Sequence, residues 1–139
     1  MMISFDNRIK SLGYSMQIRV YYEDTDTGGV VYHSNYLNFC ERARSEAFFN
    51  RALNPILKDG HFVARKIVGN FYKSAKLGDI LHVTSKLIQM KSASFVLSQT
   101  IYKEEEKIFN LEITLAYINF AGKPQKIDVN TKELIQELF

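Results

Sequence analysis

The sequence predicts an α+β fold in which a curved antiparallel sheet wraps one long central helix. Three observations carry this. One helical period runs from Tyr36 to about Asn50. One strand-like segment precedes it and four follow. Those four are joined by short turns, so they pair in antiparallel succession.

The first strand spans Met16 to Tyr22, with Met16, Ile18, Val20 and Tyr22 on one face and Gln17, Arg19 and Tyr21 on the other. Residues 1–14 have weak periodicity and read as an N-terminal extension that packs loosely or pairs with another subunit. The run Glu23 to Gly29 is a dense turn signal. Ser34 or Asn35 is the expected N-cap of the helix. Tyr36, Cys40, Ala43 and Ala47 recur at i, i+4, i+7 and i+11 beside Phe39, and the small residues allow close approach to a sheet. Asn54 and Pro55 stop any continuation.

The remaining strands are His61 to Ala75, Ile80 to Met90, Phe95 through Lys103, and Lys107 to Phe120. Lys76–Asp79, Lys91–Ser94 and the charged tip Glu104–Glu106 connect them. In the last strand, Phe109, Leu111, Ile113, Leu115 and Tyr117 alternate against Asn110, Glu112 and Thr114, so one face is buried. Asn130 or Thr131 is the expected cap of a short helix, Lys132 to Leu138. A single helix covers only part of such a sheet, so an uncovered edge should seek a second subunit.

The 139 residues fit one domain, and 46% hydrophobic with 24% charged content is globular. The net charge of +3 is too mild to argue for nucleic acid. No long apolar run and no signal-peptide pattern appear, so the expected compartment is cytoplasmic with no membrane span. The single Cys40 sits in an apolar helical stretch and reads as a packing residue in a reducing compartment. His33, His61 and His82 are scattered, and no Cys/His pair has ligand spacing, so no metal site is expected.

Chemistry concentrates between Tyr21 and Tyr36. Glu23, Asp24 and Asp26 crowd one turn, Gly28 and Gly29 allow close backbone approach, and a helix start follows. Free N–H groups at a helix start favour developing negative charge, and a carboxylate beside them suits acyl transfer. Two plainer readings compete. A solvated acidic turn remains open. A calcium loop counted from Asp24 has Gly29 at its sixth place but Asn35 at its twelfth, so its last ligand is missing.

The stretch YYEDTDTGGVVYHSNYLNFCERARSEAF, residues 21–48, resembles the signature of the 4-hydroxybenzoyl-CoA thioesterase family. It is similar to that family's YbgC-type acyl-CoA thioesterases, which are associated with the Tol-Pal envelope system. Asp24, Asp26, Gly29, Val31, His33 and Tyr36 fill the pattern, and ERARSE (41–46) and VARK (63–66) are in keeping with the subgroup. The resemblance is dense from about Arg19 to Ala47, thinner to about Phe120, and absent from 1–14 and 126–139.

That resemblance implies a hotdog fold over one domain and hydrolysis of an acyl-CoA, with no cofactor, since coenzyme A belongs to the substrate. It implies Asp26 as the catalytic carboxylate, assisted by His33 and Tyr22. Gly29, Val30, Tyr32 and Ser34 are the expected substrate-binding positions. Glu41 is a reserve carboxylate, otherwise paired with Arg44 or Ser45. Arg65, Lys66, Lys73, Lys76 and Lys91 form a pool of cations for coenzyme A phosphates. The expected partners are acyl-CoA, an acyl-carrier protein and further copies of the chain, as a dimer or a dimer of dimers (a homotetramer). A hotdog hydratase or dehydratase, and a non-catalytic acyl-carrier or envelope-complex partner, are the rival readings.

Overall fold

The computed structural model describes Ser4, Phe5, Arg8 and residues 13–139. The expected extension over 1–14 therefore lies mostly outside the described residues. Within it, the Phe5 ring meets the rings of His82 and Tyr102 edge-on, at 6.0 and 5.6 Å.

The elements follow in the order β1 (Tyr14–Arg19), α1 (His33–Phe49), β2 (His61–Phe71), β3 (Ile80–Met90), β4 (Ser94–Lys103), β5 (Glu106–Ile118) and α2 (Val129–Leu138). The strands form one sheet in the order β1-β3-β4-β5-β2, and every neighbouring pair is antiparallel. Register shifts interrupt β2 between Ala64 and Lys66 and β3 between Leu87 and Gln89. Such bulges bend a strand and increase its twist, which lets the sheet curve around a helix. This is the hotdog arrangement. No described helix is long and apolar enough to cross a membrane.

α1 buries Tyr36, Phe39, Cys40, Ala43, Ala47 and Phe48, the face set by the helical period of its small and aromatic residues. It meets one sheet face carrying Leu81, Val83, Leu97, Ile101 and the alternating set Phe109, Leu111, Ile113, Leu115 and Tyr117, all buried. Burying each such large side chain stabilises the fold by roughly 1.5–3 kcal/mol. One polar knot crosses this core. Gln99 donates to the Cys40 carbonyl at 2.9 Å and to Ser85 Oγ at 2.8 Å, and accepts from Arg44 at 2.9 Å. Burial pushes the Cys40 thiol up to about 12, so it stays a protonated packing group at neutral pH.

Four expectations need correction. α1 begins at His33, three residues early, and no side chain caps it; Tyr32 holds the cap position in extended backbone. The Asn35 amide bonds the Asp24 carbonyl instead. β1 ends at Arg19, and Tyr22 sits in a 3-10 turn (Tyr22–Asp24) with 82% of its surface exposed, not on the strand's inner face. β2 ends at Phe71 rather than Ala75. α2 starts at Val129, capped by Asp128, whose carboxylate accepts the Thr131 N–H at 2.7 Å. That bond holds the Asp128 carboxyl below its ordinary range.

β2 pairs with β5 on one side, and among the described residues no strand pairs with its other edge. From Ala64 onward it is exposed, including Ile67, Val68 and Phe71.

Candidate active site

Two aspartates two residues apart have opposite surroundings. The Asp24 carboxylate is buried and accepts the Tyr21 N–H at 2.8 Å. Its carbonyl accepts the Tyr32 N–H at 3.0 Å and the Asn35 amide at 2.9 Å. Asp24 thus ties the acidic turn to the start of α1. Asp26 is exposed. Its N–H donates to the Val30 carbonyl at 2.8 Å, and its carbonyl accepts the Gly29 N–H at 3.1 Å. Among the described residues the hydrogen bond to its carboxylate comes from Gly28 N–H, at 2.8 Å onto Oδ1. Oδ1 is held, and among the described residues Oδ2 accepts no hydrogen bond.

Glycine is required here for conformation. Gly29 has φ +80°, a left-handed backbone that other residues adopt only with strain. A side chain there would meet nothing within 4 Å, so space is not the constraint.

The turn docks onto the chain that follows β2. Thr25 bridges to Val31, and Val30 bridges to Lys76. Val31 N–H donates to the Ala75 carbonyl at 2.9 Å, and Ala75 N–H donates to Tyr36 Oη at 2.9 Å. Burial raises the Tyr36 hydroxyl above its ordinary range, although the Ala75 N–H works against that shift.

His33 is the exposed first residue of α1, its ring 4.2 Å from that of Tyr32. The N–H groups of His33 and Ser34 open the helix, where no carbonyl four residues earlier can accept them. His33, Val31, Tyr36, Phe71, Tyr72, Lys73 and Ser74 line a cavity of about 310 Å³.

The expected site residues divide on this geometry. Asp26, His33, Tyr32 and Ser34 lie on one turn and the helix start it leads into. Val30 is tied up by its bridge to Lys76. The Gly29 N–H is spent on the Asp26 carbonyl and is not a free donor. Tyr22 lies on the same turn but, among the described residues, makes no hydrogen bond with Asp26; its carbonyl instead accepts from the Thr25 hydroxyl at 2.8 Å. Among the described residues Glu41 and Arg44 make no close ion pair: Arg44 turns inward to Gln99, and burial lowers its pKa, with Cys40 and Glu41 working against that shift. From the cation pool, Lys73 pairs with Glu106 at 2.9 Å. Among the described residues no group of three or more His, Cys, Asp or Glu could hold a metal ion.

A second cavity, of about 330 Å³, had no sequence signal. Glu41, Arg44 and Ser45 sit among its polar lining and Phe48, Phe62, Phe95, Leu115 and Phe139 among its apolar lining. These residues come from α1, β2, β4, β5 and the end of α2, so no local period links them.

Residues 28–109 match the model of the thioesterase superfamily. The chain is 42% identical over 133 residues to the acyl-CoA thioesterase YbgC of Helicobacter pylori, covering 88% of this chain and all of that protein. It is 41% identical over 98 residues to the acyl-CoA thioester hydrolase YbgC of Escherichia coli, covering 67% of this chain and 72% of that one. The crystal structure of a probable thioesterase from Bartonella henselae superposes with a TM-score of 0.78 at 32% identity, covering 84% of this chain and 99% of that one.

Proposed function

The chain belongs to the thioesterase superfamily and is a thioester hydrolase, and from that membership we propose that it hydrolyses acyl-coenzyme A with Asp26 as the reacting carboxylate. The observation that carries this reading is the contrast between the two aspartates. Asp24 is consumed in holding the turn, whereas Asp26 is exposed on the turn that leads into α1, with Oδ1 held by Gly28.

In this reading the thioester carbonyl oxygen lies against the His33 and Ser34 N–H groups. A donor aimed at a tetrahedral oxyanion contributes about 2.7–4 kcal/mol to the transition state. The Gly28 N–H holds Asp26 Oδ1, which supports a role for Oδ2 as the reacting oxygen. Oδ2 then takes a proton from water as the water attacks the carbonyl carbon. Alternatively it attacks that carbon itself, and water cleaves the resulting mixed anhydride. In both routes the carbon–sulfur bond breaks and the thiolate leaves. A thiol of pKa near 8.5 is a good leaving group, so His33 assists by orienting water or supplying a proton. Tyr22, exposed on the same turn, is available to hydrogen-bond the substrate.

The second subunit enters through β2. Its open edge and exposed Ile67, Val68 and Phe71 suit antiparallel pairing with the same strand of another copy. That pairing makes a dimer, the unit from which a tetramer would be built.

The test is thiol release from acyl-CoAs of graded length and from acyl-carrier protein. Release from one or more acyl-CoAs is expected. Purified, folded protein that leaves all of them intact overturns the proposal, and release from the carrier protein alone moves the substrate class.

A further inference from the structure

We propose that Phe139, on the end of α2, is the floor of the acyl pocket and sets the longest chain the enzyme accepts. The inference rests on the acyl-CoA reading above. The 330 Å³ cavity is lined by the polar side chains Glu41, Arg44 and Ser45 and by a cluster of aromatic rings. Phe139 closes that cluster, with its ring 6.4 Å from both Phe48 and Phe95. The floor is anchored rather than loose. Ile135 and Leu138 are buried in the core, Asp128 caps the helix, and Glu137 pairs with Arg51 at 3.2 Å.

Within one chain this cavity is remote from the acidic turn. Arg44 is eleven residues along α1 from His33, about 16 Å at 1.5 Å per residue. Self-pairing of β2 removes the distance. Phe62, Val63 and Ala64 line the aromatic cavity at one end of the strand, and Phe71 lines the His33 cavity at the other. An antiparallel pair about a two-fold near Ile67 sets each end against the opposite end of its partner. The acyl chain of a thioester held at one subunit's Asp26 then enters the other subunit's cavity.

The experiment compares kcat/KM for hexanoyl-, decanoyl- and tetradecanoyl-CoA in the full chain and its Phe139→Ala, Phe139→Trp and Phe120→Ala variants. Phe120 is exposed and outside the cavity lining, so its variant should match the parent. Phe139→Ala should raise the tetradecanoyl-to-hexanoyl ratio at least ~10-fold, the scale on which apolar pockets discriminate methylenes. Phe139→Trp should shift preference to shorter chains, and it tests the idea even where the alanine variant folds poorly. Unchanged ratios in folded, active Phe139 variants overturn the floor and leave the thioesterase reading standing. A parent protein that hydrolyses no acyl-CoA overturns both.

Discussion

The hydroxyl of Tyr36 accepts the N–H of Ala75 at 2.9 Å across 39 residues of sequence, with both residues buried. This bond joins α1 to the segment after β2. The Ala75 carbonyl in turn holds Val31, so one residue links helix, turn and sheet. Tyr36→Phe leaves a buried N–H without a partner, which costs about 1–3 kcal/mol. Urea unfolding should show that loss with an unchanged slope. A variant as stable as the parent would mean that the Ala75 N–H finds another acceptor.

Asp26→Asn and Asp24→Ala should fail differently. Asp26→Asn keeps shape and hydrogen-bonding capacity at an exposed position, so its melting temperature should stay near the parent's. Its thiol release should fall by at least ~100-fold, the scale of a lost general base. Asp24→Ala removes the acceptor of the part-buried Tyr21 bond and should lower stability by about 1–3 kcal/mol. Activity of Asp26→Asn within threefold of the parent would reject the assignment.

His33→Ala should slow turnover less than Asp26→Asn does, because the proposed oxyanion donors are backbone groups that the substitution retains. The comparison needs kcat at saturating acyl-CoA. Equal losses in the two variants would make His33 as indispensable as the carboxylate, and no loss would leave it a structural residue.

Val68→Lys tests the open edge. A charge there hinders pairing with another strand, so sedimentation at micromolar concentration should show the parent as a dimer or larger and the variant shifted toward monomer. Thiol release should fall with the dimer. An active, monomeric parent would contradict the composite site.

Cys40 should not react with a disulfide reagent at pH 8 until the protein unfolds. Burial raises its pKa to about 12, so the thiolate is scarce at any pH below that, and the sulfur is enclosed. Stoichiometric labelling of the native protein would show that α1 opens readily.

The family resemblance was legible in a contiguous stretch, because the acidic turn, the glycines and the helix start are neighbours in sequence. The roles of individual side chains were less so. Alternation alone puts Tyr22 on a strand face, but the strand stops at Arg19 and the chain turns. Glu41 and Arg44 stand at pairing distance along a helix, yet Gln99, 55 residues away, takes the guanidinium.

Residue order alone determined the succession of elements, the buried face of α1 and the alternation of β5, since each follows from periodic burial against a neighbouring layer. It also located the acidic turn ahead of the helix. Only the tertiary structure decided which aspartate is left exposed, where α1 begins, and which aromatic residues line the second cavity. Those depend on contacts between segments remote in sequence: Asn35 reaching back to Asp24, Tyr36 meeting Ala75, and Phe139 meeting Phe48 and Phe95. A local pattern encodes a surface to be buried, and the packed fold selects the partner that buries it.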